Sequence, residues 1–582
     1  MKSKLNMRVS NLAAAAVGVH LATGASYPGE QRPLGLGPSS PARGARPNIV
    51  FILTDDQDLH MDSLEYTPLI SKHLIEQGTF FKRHYCTTAL CCPSRVSLWT
   101  GKQAHNTNVT DVNPPYGGYP KFVSQGLNSK WLPVWLQEAG YNTYYTGKLF
   151  NAHTVENYDH PYPAGWNGSD FLLDPYTYNY LNSSYQRNRD APVSYEGQHT
   201  VDVLASKAYG FLADAAADTS RPFFLGIAPV APHSNVEART PDGGIGDIGD
   251  IGTSVFFTPP VPASRHAHLF PDAQVPRTPH FNPSSPSGAN WVRKLPQQSA
   301  ENVEFNDHFY RQRLRALQSV DELVDGLFER LEDLGLLDNT FVFYTTDNGY
   351  HIGQHRLQPG KECGFEEDIN IPLIVRGPGV AEGKVVEGLV TSHVDLAPTI
   401  LRLAGSTSAS RADFDGEVIP LTGRKIDEVV RKRERHEHVT VEYWGFAATE
   451  GRLFGKDEQR LILNNTYKAL RVIGEDYNFY YSVWCNNEHE LYDLKVGSCP
   501  RFFSFISCHP PASIGLGRRD PILTKTFLFN FDRPTPTSYT TSSTRTRQPW
   551  CPPPSSEFPS RSLLPASTRC CSSSSHARRK HV

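Results

Sequence analysis

The chain has 582 residues, of which 39% are hydrophobic, 20% charged and 11% aromatic, a globular composition with material for at least one large core. Lys and Arg number 57 against 60 Asp and Glu, and the formal charge of −3 leaves no excess to hold a polyanion, so no nucleic acid partner is expected. The length predicts one large domain and a smaller one, because large α/β enzymes carry a single sheet through most of their chain.

Lys2, Lys4 and Arg8 precede an apolar stretch from Leu12 to Ala22 and then the small residues Thr23, Gly24, Ala25 and Ser26, the order of a secretory signal peptide over residues 1–25. The apolar run is too short to span a bilayer, and no later segment approaches the ~20 apolar residues that a spanning helix needs. A secreted or luminal protein without a membrane span is expected. Sequons at Asn108, Asn167, Asn182 and Asn464 agree with passage through a glycosylating pathway. Five cysteines stand in the body of the chain, Cys86, Cys91, Cys92, Cys363 and Cys485. An odd count leaves one of them without an intramolecular partner in an oxidising compartment and free for another task.

Residues 26–46, rich in Pro, Gly, Ser and Arg, read as a flexible leader. Asn48 to Leu53 is a continuous apolar run, the pattern of a strand buried on both faces, and it stops at Thr54, Asp55 and Asp56. The form returns at Phe341 to Tyr344, which runs into Thr345, Thr346, Asp347, Asn348 and Gly349. Polar residues at a strand's carboxyl end mark a site in α/β proteins. Further buried strands are predicted at Pro222 to Ala228 and Ile371 to Val375. Leu317, Val320, Val324, Leu327, Leu331 and Leu334 recur at helical spacing, and Ser392 to Leu403 reads as a second amphipathic helix with Asp395 and Pro398 in its first turns. Residues 236–296, with many Pro and Gly and a GDIGDIG tandem at Gly246 to Gly252, read as a long surface insertion near the site.

After Gly405 the segments Val439 to Trp444, Leu461 to Asn464, Tyr467 to Ile473 and Tyr480 to Trp484 suggest a small antiparallel sheet, so a catalytic domain over 47–405 is followed by a smaller subdomain over 406–495. The mixed charges from Arg424 to His438 read as a solvated helix face. From Val496 periodicity gives way to Ser, Thr, Pro and Arg, a composition that predicts disorder and no catalytic group. The change after Lys495 is abrupt enough to read as an intron or a frame shift carried into the gene model, with a genuine tail as the other reading.

Asp55, Asp56, Asp347 and Asn348 offer hard oxygen ligands from two strand ends, which select calcium or magnesium over zinc, although either pair alone would suit an ordinary turn. Residues Cys91 to Gly101 read CCPSRVSLWTG. Alone, a vicinal cysteine pair on a Pro-Ser turn would also suit a disulfide or a metal clip. With Thr100 and Gly101 at the right spacing, the segment resembles the sulfatase signature Cys-x-Pro-Ser-Arg followed by a hydrophobic stretch and Thr-Gly. Cys91 matches the cysteine that the family converts to formylglycine, and Cys92 the variable residue.

The resemblance implies an alkaline-phosphatase-like α/β fold, a large mostly parallel mixed sheet between helices with a smaller C-terminal subdomain on an antiparallel sheet. It also implies one calcium ion held by Asp55, Asp56, Asp347 and Asn348 beside Cys91, and maturation by formylglycine-generating machinery. A formylglycine hydrate attacks the sulfur with one hydroxyl, and the second, deprotonated, expels sulfate and restores the aldehyde. Negative sulfuryl oxygens call for cations. Arg95 lies in the signature, Lys148 in Gly140 to Lys148, which is similar to the family's second signature, and Lys361 follows TDNGYHIGQ where the family carries a substrate lysine. His233, in Ala-Pro-His-Ser-Asn, matches the histidine placed near the leaving-group oxygen, where it would donate a proton. One departure stands out: Gly147 and Lys148 are followed by Leu149 and Phe150 where many sulfatases have Gly-Lys-x-His, which leaves Asn151 or His153 to substitute.

The chain looks most like fungal arylsulfatases and the glucosamine-6-sulfatase branch, over about Arg46 to Lys495. The expected activity is hydrolysis of aryl or sugar sulfate esters. A phosphodiesterase or phosphonate hydrolase of the same superfamily and a non-catalytic glycan-binding homologue are the competing readings. A two-metal phosphatase needs extra His and Asp ligands beyond the oxygen-rich set offered here.

Overall fold

Asn48–Thr54 (β1) is buried along its whole length. Ile49, Phe51 and Leu53 pack into one hydrophobic cluster and Val50 and Ile52 into another. A strand with a core on each face belongs in the middle of a sheet. In the computed structural model, which describes residues 46–242, 244–246, 254–406, 413–451 and 461–495, it lies there. The signal segment, nearly all of the leader, most of the GDIGDIG tandem and the tail from Val496 lie outside the described residues.

The other strands of this sheet are Thr79–Phe81 (β2), Asn142–Lys148 (β3), Gly168–Leu172 (β4), Ser184–Arg187 (β5), Val193–Ser194 (β6), Phe223–Ala228 (β7), Thr340–Thr346 (β8), Leu373–Arg376 (β9) and Lys384–Val386 (β10). Their order across the ten-stranded sheet is β10-β2-β9-β8-β1-β7-β3-β4-β5-β6. The centre, from β8 to β4, is parallel, whereas β9 and β5 run antiparallel to their inner neighbours. The predicted Ile371 to Val375 strand is split. Asn370–Ile371 pairs with His84–Tyr85 in a small separate sheet, and Pro372 separates it from β9 because proline has no N–H to give to a ladder.

Helices cover both faces. Cys91–Thr100 (α1) and Leu396–Leu403 (α4) pack with the Ile49, Phe51 and Leu53 side, while Thr200–Ala217 (α2) and Ala300–Asp333 (α3) cover the other. The helix α3 starts well before the periodic Leu317 to Leu334 segment. Ser299 caps it by accepting a hydrogen bond from Asn302 N. Its first half buries Asn306, Asp307 and Arg313, so the apolar spacing that marks a helix in sequence is broken there by polar contacts with the rest of the fold.

Part of the stretch read as a surface insertion is structured: Asn235–Arg239 pairs antiparallel with Ser254–Thr258, and Val275, Ala289 and Val292 are buried. The second sheet has four antiparallel strands, His438–Tyr443 (β11), Tyr467–Ile473 (β12), Asn478–Trp484 (β13) and His489–Asp493 (β14). Alternate residues Tyr467, Ala469 and Ile473 of β12 pack with Tyr85, Leu357 and Phe365 from the large domain in a third cluster. The charged run falls on Gly423–Lys432, a helix that buries Ile426 and Val429. Cys86, Cys91, Cys92 and Cys363 are buried thiols, none joined in a disulfide, so the expected pairing among body cysteines does not form at these four.

The strand β3 carries Gly147 at φ +104°, and a Cβ there would stand 2.1 Å from the carbonyl oxygen of Ala228 on β7. Any side chain both strains the backbone and forces the two strands apart one residue before Lys148. Gly147→Ala is expected to lower unfolding free energy by about 2–4 kcal/mol. An unchanged denaturation midpoint would contradict this close approach.

Candidate active site

The strands β1 and β8 pair in parallel with Thr54 opposite Thr346, so their continuations place Asp55 and Asp56 beside Asp347 and Asn348. Asp347 Oδ1 accepts from Asp56 N at 3.0 Å and from Asn348 N at 2.9 Å, and Asn348 Nδ2 donates to Asp56 Oδ1 at 2.8 Å. Asp56 has φ 65°, a left-handed conformation that aspartate tolerates better than most residues. All four side chains are fully buried.

Cys91 opens α1 directly above these carboxylates. Its Sγ lies 3.5 Å from Asp55 Oδ1 and 3.9 Å from Asp56 Oδ1. Three turns of sequence logic in CCPSR become visible. Ser94 Oγ donates to the Asp347 carbonyl at 2.5 Å, Arg95 Nε donates to Asp347 Oδ2 at 2.8 Å, and Arg95 Nη1 donates to the Lys148 carbonyl at 2.6 Å. One buried guanidinium therefore ties the helix to the ends of β8 and β3.

The lysines close the other sides. Lys148 Nζ is 2.5 Å from Asp55 Oδ2 and 3.9 Å from Asp347 Oδ2. Lys361 Nζ is 2.7 and 2.6 Å from the two oxygens of Asp56 and 3.3 Å from Cys91 Sγ. Burial opposes ionisation of Asp55, but Lys148, His233 and Arg95 outweigh it and hold its carboxyl below the ordinary value. Burial likewise works against charge on Lys148 and Lys361, and the adjoining Asp55 and Asp56 reverse it, so both ammonium groups stay protonated. The Cys91 thiol goes the other way. Burial and then Asp55 push it well above the usual thiol range, so unmodified it is a neutral group and a poor nucleophile.

His233 Nε2 stands 3.5 Å from Asp56 Oδ2, and Nδ1 lies 2.8 Å from the Ser234 carbonyl, which requires Nδ1 to carry a proton. Burial and Lys361 lower its pKa to about 4, against the pull of Asp55 and Glu450. At neutral pH its Nε2 thus presents a lone pair, and an acid role needs added negative charge beside it. His153 turns away from the site. Its ring packs 4.4 Å from Tyr119 and 5.3 Å from Phe171, and burial lowers its pKa to about 4. Asn151 reaches the site through a neighbour: its Nδ2 donates at 2.6 Å to Tyr178 Oη, and the Tyr178 ring stacks on His233 at 4.1 Å with Lys148 Nζ 4.7 Å from its centroid.

Tyr178 had no signal in the sequence, nor had Arg313 and Glu450. Arg313 on α3 donates to the carbonyls of Asp56 at 2.5 Å and Pro232 at 3.2 Å, with Tyr350 4.0 Å beneath its guanidinium. A buried Arg in a helix is conspicuous only once its depth is known. Of the sequons, Asn108, Asn167 and Asn464 are exposed and Asn182 is half-buried. Among the described residues no helix is long and apolar enough to cross a membrane.

The donor set suits a hard cation. Three carboxylates converge, and Asn348 Oδ1 is buried with no hydrogen-bond partner, an acceptor left over for a metal. Asp55, Asp56, Cys91 and His233 present atoms within 4.8 Å of one another. Oxygen donors outnumber the single imidazole, which favours calcium over zinc.

Comparison with known proteins agrees with this geometry. Residues 47–406 match the family described as Sulfatase. An arylsulfatase of Volvox carteri is 40% identical over 78% of this chain and 70% of its own length. The human N-acetylglucosamine-6-sulfatase is 32% identical over 78% of this chain and 79% of its own. A solved structure of a protein in complex with its substrate D-glucosamine-2-N,6-O-disulfate shares the fold, with a TM-score of 0.59 at 21% identity over 78% of this chain and 92% of the other.

The orphan acceptor and the shared carboxylates lead to a binding prediction. Asp347→Asn keeps one of the two oxygens that serve Arg95 and the Asp56 and Asn348 amides and removes a charge, and it is expected to bind calcium about tenfold or more weakly in equilibrium dialysis. Equal affinity in the variant would place the ion elsewhere.

Proposed function

We propose, from the premise that the chain belongs to the sulfatase family and is a sulfuric ester hydrolase, that it cleaves aryl or sugar sulfate esters with a formylglycine made from Cys91 and one calcium ion. The observation that carries the reading is the convergence of Cys91, Asp55, Asp56, Asp347, Asn348, Lys148 and Lys361 in one buried cluster. The neutral state of the unmodified Cys91 thiol supports a need for conversion. The likeness to an arylsulfatase and to an N-acetylglucosamine-6-sulfatase supports both substrate classes.

A formylglycine hydrate would supply one hydroxyl to attack sulfur and a second to release sulfate, and calcium would neutralise the sulfate oxygens. The chain's own groups do the rest. Lys148 and Lys361, held charged by Asp55 and Asp56, flank the nucleophile position and can each donate to sulfuryl oxygens as charge builds. Arg95 stays bound to Asp347 and to the Lys148 carbonyl, so it fixes the carboxylate geometry. His233 offers Nε2 on the Lys361 side. The bound sulfate ester anion, and the charge that builds on its bridging oxygen as the S–O bond breaks, raise the proton affinity of His233, which can then protonate the leaving oxygen. Tyr178, packed on both His233 and Lys148, keeps their separation.

Secretion or luminal delivery and glycosylation at the sequons belong to the same reading, and the burial of Cys91 means that its conversion would have to precede closure of the fold over it. Mass spectrometry of the tryptic peptide from His84 to Arg95 is the direct test. Active protein should carry an aldehyde at Cys91 and an ordinary thiol at Cys92, and full activity with an intact Cys91 thiol would defeat the mechanism. Cys91→Ala is expected to reduce kcat by about a thousandfold or more. Cys92→Ala, at a fully buried core position, is expected to act on folding instead.

A further inference from the structure

The groups assigned roles so far come from residues 47–406, yet one buried acid in the cluster does not. Glu450 comes two residues after Ala447–Ala448, which pairs antiparallel with Leu461–Ile462, and lies beyond the residues 47–406 matched by the family. It is 4% exposed. Its backbone N–H donates to the Pro359 carbonyl at 2.8 Å, two residues before Lys361. Its Oε2 accepts from Ser234 Oγ at 2.5 Å and from Tyr350 Oη at 2.9 Å. Its Oε1 faces Lys361 Nζ at 3.6 Å.

These contacts touch both groups on the leaving-group side. Ser234 is the residue after His233, and its carbonyl fixes the His233 Nδ1 proton. Tyr350 lies under Arg313, which also holds the Pro232 carbonyl. Lys361 has carboxylates on two sides, Asp56 and Glu450, and a long flexible ammonium side chain takes a defined position only where such partners fix it. Removing one charge from a buried cluster of this kind leaves its partner uncompensated and without one of the contacts that fix its place.

We propose that Glu450 is a positioning residue of this active site: through Lys361 and the His233–Ser234 turn it sets the leaving-group side, so that the C-terminal subdomain completes the catalytic centre. The proposal rests on the sulfatase reading of Lys361 and His233. It assigns the segment around Glu450 a part in chemistry in addition to packing.

Glu450→Gln removes the charge and keeps an oxygen for the Ser234 and Tyr350 hydroxyls. With a small aryl sulfate, and with rates normalised to the aldehyde content at Cys91, kcat is expected to fall about tenfold while KM stays within about twofold. By charge alone, removing a negative group beside an anion site strengthens capture of the anion, so a purely electrostatic effect on binding would lower KM and leave kcat alone. An unchanged kcat overturns the proposal. So does a lower thermal midpoint with kcat per folded enzyme unchanged, which would make Glu450 a structural acid only. Should Glu450→Gln not fold, Ser234→Ala removes one anchor of the carboxylate. A fall in kcat of about threefold at constant KM is expected, and no change in kcat overturns the proposal. Wild-type protein that carries the aldehyde at Cys91, is folded and hydrolyses no sulfate ester would defeat the sulfatase reading itself, whereas active wild type beside an equally active Glu450→Gln defeats only the role of Glu450.

Discussion

The structure is organised around the cost of burying acidic groups together. Asp55, Asp56 and Asp347 are fully buried within contact of one another, and an isolated buried carboxylate costs several kcal/mol. Arg95, Lys148 and Lys361 offset that cost, each at hydrogen-bond distance from one of the three. The same cations are the groups that a sulfate ester needs. Neutralising the protein's own acids and, in the proposed mechanism, gripping the substrate's oxygens are one arrangement, and Asp55 and Asp56 are why the lysines keep their charge in a buried place.

This arrangement depends on strand register. Because β1 and β8 pair in parallel with Thr54 against Thr346, both polar pairs emerge at the same edge of the sheet. A slip of one residue would turn Ile49, Phe51 and Leu53 to the wrong core and part the carboxylates together. The alternating cores on the two faces of β1 therefore fix the site as well as the fold. Arg313 adds a lock from α3, holding the Asp56 and Pro232 carbonyls with one guanidinium.

The sheet made by β11 to β14 has a comparable double use. Its buried alternate residues Tyr467, Ala469 and Ile473 pack on Tyr85, Leu357 and Phe365, and this contact sets where the chain before β12 can lie. Glu450 sits in that chain and enters the polar cluster against Ser234 and Tyr350. The packing of the second sheet and the placement of one acid are thus coupled through the segment that follows β11.

The sequence by itself determined the family, the parallel centre of the sheet and the candidate residues that stand in local motifs. CCPSR, the Asp55-Asp56 pair and TDNGYHIGQ each carry several functional groups within a few residues, and a continuous apolar run such as Asn48 to Leu53 states its burial directly. Only the tertiary structure decided which isolated residues join them. Tyr178, Arg313 and Glu450 reach the site from a turn, a helix and the segment after β11, and no spacing in the chain encodes such meetings. It also set Asn151 and His153 apart, sending one to Tyr178 and the other into an aromatic core. The physical reason is the same throughout. Periodicity reports which face of an element is apolar, whereas the partner of a buried polar group is set by where the elements pack, and that is a property of the whole fold.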